Sequence, residues 1–169
     1  LIVMQLEIPL ETVYYTIELA NELGIPVILN PAPANPELDL YRIASCEYFL
    51  PNESELGLIT GMPVETMEQI EEAAQLLVDK GIKNVIVTLG EKGVLCLSAK
   101  NKTVLPAFNV DAVDTTGAGD AFIGCFAQSL DAGFGLEDSV KRATFYASDS
   151  VTKRGTQYSY ATAEEISFP

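Results

Sequence analysis

Short apolar runs alternate with helical patterns along much of the chain, and this alternation limits the fold more than any other feature of the sequence. The runs lie at residues 1–6, 26–30, 46–52 and 84–90. They are continuous rather than interleaved with polar residues, which is typical of strands whose two faces are both covered. We therefore predict an α/β fold, a three-layer sandwich around a mainly parallel sheet, in which residues 1–6 form an interior strand.

Helical periodicity fills the segments that separate these runs. Residues 10–23 place Val13, Ile17 and Ala20 on one face of a helix. Gly24 follows them, where a left-handed cap is expected to end the helix. The same kind of pattern predicts further helices at residues 67–80, 118–130 and 136–151.

The composition narrows the classes of partner and chemistry. Ten basic and twenty-four acidic residues give a net charge of −14, which disfavours nonspecific electrostatic binding to nucleic acid or to an anionic membrane. The sequence contains no histidine, so imidazole catalysis is excluded and base chemistry falls to Asp, Glu or Lys. The apolar neighbours of Cys46, Cys96 and Cys125 predict reduced core thiols in a cytoplasmic protein.

A glycine turn in the stretch DAVDTTGAGDAFIG carries the strongest functional signal. Gly117, Ala118 and Gly119 leave room for backbone N–H groups to converge on a negatively charged oxygen at the start of a helix. The stretch is not a Walker A loop, which needs a Lys-Ser/Thr pair, and Phe122 replaces the third glycine of a dinucleotide fingerprint. Asp120 is then either a general base beside this anion site or a helix cap.

The motif DTTGAGDAF resembles the second signature of the PfkB-type carbohydrate kinases, the ribokinase superfamily. Four further motifs fall in the order and spacing of that family: LNPAPA at residues 29–34, PNESE at 51–55, TLGEKG at 88–93 and VTKRGTQYS at 151–159. The resemblance implies that residues 1–169 are the C-terminal nucleotide-binding and catalytic portion of a ribokinase-like domain. The N-terminal part and the lid of such a domain are then missing, and the fragment alone is expected to be inactive.

The resemblance also implies a reaction. Asp120 is the expected catalytic base, and the amides of Gly117, Ala118 and Gly119 are expected to hold the γ-phosphate as charge develops on it. The expected activity is phosphorylation of a sugar by ATP, with D-ribose converted to ribose 5-phosphate. A kinase of another sugar or of a nucleoside, fructokinase-like in kind, is an alternative, as is a non-catalytic nucleotide-binding fragment. A homodimer of the full-length protein is a further open expectation.

The same resemblance assigns contacts to the nucleotide and to Mg²⁺. Asn52 and Glu55 match the family's Asn-x-x-Glu motif, which helps to organise Mg²⁺ and phosphates, although an acidic helix start would give the same letters. Thr88 and Gly90 match nucleotide-phosphate contacts, with a plain strand-to-hairpin turn as the alternative. Asn30 is expected near the phosphates or, alternatively, in a turn.

A monovalent cation, K⁺, is expected beside the glycine turn because of the resemblance. Its expected ligands are oxygen atoms of Asp114, Thr116, Arg154, Thr156 and Ser159. The loop that supplies the last three, TKRGTQYSYA, departs from the more usual TRKGAQPSVP, notably by Tyr158 and Tyr160. Thr144 occupies the position at which the family often has Asn or His beside the adenine, and it is assigned to ATP.

Overall fold

Six strands form one sheet in the computed structural model, which describes residues 1–169. In chain order they are β1 Ile2–Met4, β2 Val27–Leu29, β3 Tyr48–Phe49, β4 Asn84–Thr88, β5 Val94–Ser98 and β6 Lys102–Leu105, and their order in the sheet is the same. The α-helices are α1 Leu10–Glu22, α2 Glu53–Thr60, α3 Met67–Asp79, α4 Ala118–Asp131 and α5 Leu136–Ser150. Two 3₁₀ helices cover Gly90–Lys92 and Gln157–Ser159.

The strands β1 to β4 pair in parallel, as the continuous apolar runs predict. The paired residues include Ile2 with Val27, Ile28 with Tyr48, and Tyr48 with Asn84. The strands β5 and β6 follow through residues 89–93 and 99–101, connections that are too short for a parallel crossover and therefore make hairpins. The sheet is mainly parallel, and the predicted α/β fold class is confirmed.

The strand β1 lies at the edge of the sheet that residues 1–169 form, and its interior position in the full-length protein stays a prediction. It pairs with β2 alone. Met4 is buried, whereas Val3 is 39 % exposed. An apolar run indicates that side chains favour burial, but it carries no information on whether a strand is hydrogen-bonded along one edge or both. Neighbours in a sheet are decided by the topology of the whole chain.

The chain divides into two compact units. The first comprises residues 1–89 and 95–104, and the second comprises residues 90–94 and 105–169. In the first unit, α1 and α3 bury the faces that their periodicity predicts into one core with the strands. Their buried residues are Val13, Tyr14, Ile17, Ala20, Ile70, Ala73, Ala74, Leu77 and Val78. Gly24 has a φ of 67°, which is the left-handed conformation predicted for the end of α1.

The second unit is organised by the packing of α4 against α5. Within α4 the rings of Phe122 and Phe126 stack with centroids 6.2 Å apart, and both residues are buried. Buried residues of α5 include Val140 and Ala143. None of the helices is both long enough and apolar enough to span a lipid bilayer.

Two of the three thiols lie in the core, as predicted. Cys46 and Cys125 are buried, Cys96 is half-buried, and none of the three forms a disulfide. Burial raises the pKa of the Cys46 thiol to about 12. The thiolate of Cys46 is therefore scarce at neutral pH, which argues for a packing role rather than a nucleophilic one.

Candidate functional site

In the first unit, the ends of three neighbouring strands bring polar residues to one edge of the sheet. Asn30 follows β2, its backbone N–H donates to the Met4 carbonyl at 2.9 Å, and its side-chain Nδ2 donates to the Leu50 carbonyl at 2.7 Å. Asn52 follows β3 and forms a parallel bridge with Thr88 at the end of β4. The carboxyl edge of an open parallel sheet is where such folds bind ligands, and three predicted residues lie there together.

Asn52 and Glu55 form a capping box at the start of α2. The Asn52 Oδ1 accepts the Glu55 N–H at 2.8 Å, and the Glu55 Oε2 accepts the Asn52 N–H at 2.8 Å. The helix-start interpretation of this motif is therefore a structural fact. It leaves the second carboxylate oxygen of Glu55 outside the box, so capping and Mg²⁺ binding are compatible roles.

Glu55 is half-buried, and burial is the largest influence on its carboxyl group. Desolvation raises the pKa of Glu55, while the hydrogen bonds from Asn52 act in the opposite direction. A carboxylate in such a place gains from a nearby cation, because the cation favours the charged form. Mg²⁺ is commonly held by one or two carboxylates together with substrate phosphates, so a single glutamate fits that ion.

Gly90 begins the 3₁₀ helix Gly90–Lys92 in the second unit. Its φ of 59° is left-handed, and its carbonyl accepts the Gly93 N–H at 3.1 Å. The hairpin-turn interpretation of Gly90 therefore describes its local geometry. A phosphate contact of its backbone stays a prediction.

Gly117, the first glycine of the turn in the second unit, is the N-cap of α4. Gly117 has a φ of 80°, and no side chain caps this helix. The Gly117 carbonyl accepts the Ala121 N–H at 2.9 Å, which closes the first turn. The N–H groups of Gly119 and Asp120 stand at the second and third helical positions, where an α-helix offers no internal acceptor. They are well suited to an anion.

Ala118 differs from the other amides that the sequence assigned to the anion site. Its N–H donates to the Thr115 carbonyl at 3.2 Å, within the turn itself. This hydrogen bond has to open before the Ala118 amide can contact a phosphate. The geometry therefore favours the Gly119 and Asp120 N–H groups as anion donors, and the amide of Asp120 was not among those predicted.

Asp120 does not act as a helix cap. The N-cap position belongs to Gly117, and no side-chain capping bond is formed at this end of α4. Asp120 lies three residues further on and is exposed. A carboxylate in the first turn is stabilised by the positive end of the helix and is free to accept a proton from a ligand. The role of general base stays a prediction, and its competing explanation is removed.

Asp114 ties the segment before the glycine turn to the loop that follows α5. Its Oδ1 accepts the Thr116 N–H and its Oδ2 accepts the Gly155 N–H, each at 3.0 Å. The N–H groups of Val113 and Asp114 both donate to the Val151 carbonyl, at 2.7 and 3.1 Å. The hydrogen bond from Gly155, and to a smaller extent those from Thr116, lower the pKa of the Asp114 carboxyl group. The carboxylate fastens two loops to each other.

Two of the residues assigned to K⁺, Asp114 and Thr156, accept internal hydrogen bonds. Besides Asp114, the Thr156 carbonyl accepts the Ser159 N–H at 3.1 Å and the Ser159 hydroxyl at 2.6 Å. Two hydrogen bonds use both lone pairs of a carbonyl oxygen. The Thr156 carbonyl is therefore unavailable to K⁺ in this arrangement, and no step proposed below depends on that ion. The K⁺ contacts assigned to Asp114, Thr116, Arg154 and Ser159 stay predictions.

Thr144 lies in α5 and is buried, with 6 % of its surface exposed. Its hydroxyl donates to the Val140 carbonyl one turn earlier, at 2.8 Å. A hydroxyl used in this way keeps only its acceptor capacity for a ligand. The assignment of Thr144 to adenine stays a prediction, without support from the geometry.

Two tyrosines are structural parts of this region that sequence reasoning did not assign. The Tyr160 hydroxyl donates to the Gly117 carbonyl at 2.8 Å. The Tyr146 hydroxyl of α5 donates to the Ala161 carbonyl at 2.8 Å. Tyr160 was visible in the sequence only as a departure from the family pattern, since a tyrosine in a loop gives no signal of what its hydroxyl contacts.

We expect Asp114→Asn to lower the melting temperature of the full-length protein at neutral pH, because the amide NH₂ would face a backbone N–H that Asp114 now accepts. The wild-type carboxyl has a folded pKa below its ordinary value of 3.8. Its stabilisation is thus present above the unfolded pKa and is lost as the pH falls through the folded pKa.

Melting curves between about pH 6 and pH 2 measure this contribution. The wild-type protein should lose stability on acidification more steeply than Asp114→Asn, which has no titrating group at this position. Asp111→Asn, an exposed change in the same loop, is the matched control and should follow the wild type. If the melting temperatures of all three proteins fell equally with pH, the stabilising role assigned to the Asp114 carboxylate would be contradicted.

A family model described as pfkB family carbohydrate kinase matches residues 3–163. Among curated relatives, the chain is 52 % identical over 166 residues to a deoxyribokinase of Salmonella typhi, covering 98 % of the chain and 54 % of the relative. It is 39 % identical over 170 residues to a ribokinase of Schizosaccharomyces pombe, covering 98 % of the chain and 53 % of the relative. The chain thus spans about half the length of these relatives.

Solved structures of ribokinases are also similar to this chain. The ribokinase of Arabidopsis thaliana complexed with ribose and ATP matches with a TM-score of 0.91 and 32 % identity, over 97 % of this chain and 54 % of that one. The ribokinase of Thermotoga maritima matches with a TM-score of 0.84 and 39 % identity, over the same two shares. The fold is therefore shared with these proteins.

Proposed function

Because the chain belongs to the pfkB family of carbohydrate kinases, we propose that the full-length protein transfers the γ-phosphoryl group of ATP to a hydroxyl group of a sugar. The observation that carries the proposal is the start of α4. There an uncapped helix N-terminus presents free N–H positions, and an exposed carboxylate lies within the same turn. An anion site next to a proton acceptor is what phosphoryl transfer to a hydroxyl requires.

In the proposed reaction, Asp120 accepts the proton of the attacking sugar hydroxyl. The hydroxyl oxygen then forms its bond to the γ-phosphorus while the bond to the leaving oxygen of ADP breaks. The N–H groups of Gly119 and Asp120 stabilise the charge on the phosphoryl oxygens during the transfer, and the positive end of α4 adds to this effect. Fixed donors are effective because they need no reorganisation as the charge develops.

At the strand ends of the first unit, Asn52, Thr88 and Asn30 are proposed to contact the phosphates of ATP. Glu55, with Asn52, would hold Mg²⁺ against these phosphates, and the ion would neutralise phosphate charge during the transfer. A cation would favour the binding of ATP to a chain whose net charge is −14, because ATP is itself strongly anionic. Burial raises the pKa of Glu55, and a bound cation would offset this effect by favouring the charged carboxylate.

We propose a pentose as the acceptor, phosphorylated at its 5-hydroxyl. The motifs LNPAPA and PNESE favour D-ribose, whereas the relative with 52 % identity is named a deoxyribokinase and favours 2-deoxy-D-ribose. The two sugars differ by one hydroxyl group. A site that hydrogen-bonds this group rejects the deoxy sugar strongly, whereas a site that merely tolerates it discriminates weakly.

An acceptor screen with the full-length protein tests the proposal. ADP release is measured with ATP and Mg²⁺ against D-ribose, 2-deoxy-D-ribose, fructose and nucleosides, with a reaction lacking any acceptor as the baseline and EDTA as the metal control. We expect the two pentoses to give the highest kcat/KM and EDTA to abolish turnover. Preference for fructose or a nucleoside would indicate that the protein is a kinase of another acceptor class in the family. ADP release at the baseline rate with every acceptor would favour a non-catalytic nucleotide-binding protein.

A further inference from the structure

The hydroxyl group of Tyr160 contacts the turn on which the proposed chemistry depends. It donates to the Gly117 carbonyl at 2.8 Å, and Gly117 is the N-cap of α4. We propose that Tyr160 is a positioning residue, which rests on the proposed kinase activity: it fixes the glycine turn so that the N–H groups of Gly119 and Asp120 and the Asp120 carboxylate face the transferring phosphoryl group and the acceptor.

The planarity of the peptide bond explains how the Tyr160 hydroxyl fixes the start of α4. The Gly117 carbonyl and the Ala118 N–H belong to one trans peptide and point in opposite directions. Holding the carbonyl therefore sets the orientation of that plane. The same carbonyl accepts the Ala121 N–H at 2.9 Å, so it also fixes the first turn of α4. The direction of the free N–H groups follows from that turn.

The turn needs such an anchor. Gly117 lacks a side chain and has a φ of 80°, a conformation in which glycine retains wide backbone freedom. Helix α4 has no side-chain cap to restrain its first residues. A Cβ atom placed on Gly117 would lie 2.4 Å from the Tyr160 hydroxyl oxygen and 3.2 Å from Thr156 Cγ2. Tyr160 and Thr156 therefore occupy the space on this side of Gly117.

Tyr160 is itself held in place. Its ring lies beside that of Tyr146, with centroids 6.4 Å apart, and the Tyr146 hydroxyl donates to the carbonyl of the next residue, Ala161, at 2.8 Å. Burial raises the pKa of Tyr160, and the negative charge of Asp120 raises it further. The hydroxyl therefore stays protonated at neutral pH and serves as a donor, within electrostatic reach of the proposed base.

Tyr160→Phe in the full-length protein isolates this contact, because it deletes one oxygen atom and keeps the ring. We expect kcat to fall about tenfold, since small misplacements of reacting groups can cost up to about 10²-fold. The KM values for ATP and for the sugar should stay within about threefold, and the melting temperature within a few degrees. Tyr158→Phe removes the same atom from a residue that is 96 % exposed, and it should match the wild type.

The outcomes separate this inference from the proposed function. If the wild-type protein releases no ADP with any acceptor, the proposed kinase activity is wrong, and the role of Tyr160 is wrong with it. An active wild type with an unchanged kcat in Tyr160→Phe would overturn the role of Tyr160 alone. A loss of kcat that is matched by a large loss of thermal stability would also overturn it, because the hydroxyl would then serve the fold rather than the alignment of the site.

Discussion

Asp120→Asn is expected to lower kcat of the full-length protein by about 10²–10⁴-fold, because an amide cannot accept the proton of the sugar hydroxyl. The side chain keeps its size, and Asp120 is exposed, so the fold should remain intact. The KM for ATP should change by no more than a few-fold, since the N–H groups that are proposed to bind the phosphate belong to the backbone. Steady-state kinetics and a melting curve on the same preparation measure these effects.

Asp131→Asn is the matched control for this experiment. It makes the same chemical change in the same helix, at an exposed position in the last residue of α4. The carboxylate of Asp131 lies at the negative end of the helix, so its removal should be neutral or slightly stabilising, and kcat should not change. Turnover near the wild-type value in Asp120→Asn would remove Asp120 as the base and, with it, the proposed mechanism.

The sequence predicts the elements of this fold better than their neighbours. Periodicity identifies α1 and α3 with the correct buried faces because an amphipathic pattern reports local burial directly. The run at residues 46–52 yields a strand of two residues, Tyr48–Phe49, and β1 is placed at an edge. Both outcomes depend on hydrogen bonds between distant segments, and composition does not encode these bonds.

For the candidate site, too, the sequence predicts the chemistry of the residues better than the contacts that they make. The motif around Asp120 predicts a glycine turn, a candidate anion site and a carboxylate, because each requires particular residue types. What the side chains contact is a different matter. The capping box of Asn52 and Glu55, the loop clamp of Asp114 and the contact of Tyr160 with Gly117 depend on distances that only the fold determines.

The two glycines of the turn differ in a way that their spacing in the sequence does not reveal. A side chain at either position would be expected to disturb an anion site. Gly117 is left-handed, with a φ of 80°, whereas Gly119 has no left-handed backbone and a Cβ atom there would meet open space. Backbone strain is therefore confined to Gly117, and Gly119 provides the free space in front of the helix N-terminus.

Gly117→Ala should therefore damage both stability and catalysis in the full-length protein. A left-handed alanine costs about 1–3 kcal/mol, and its methyl group would also lie 2.4 Å from the Tyr160 hydroxyl oxygen, which has to move. Such movement releases the Gly117 carbonyl, so kcat should fall by more than in Tyr160→Phe.

Gly119→Ala provides the comparison, measured by melting curves and steady-state kinetics on both variants. Its melting temperature should equal or exceed that of the wild type, because alanine favours the helix and meets no neighbour. Its methyl group nevertheless enters the space before the N–H groups, so the KM for ATP should rise. A Gly117→Ala protein as stable as the wild type would show that the turn can relax, and the strain assigned to it would be wrong.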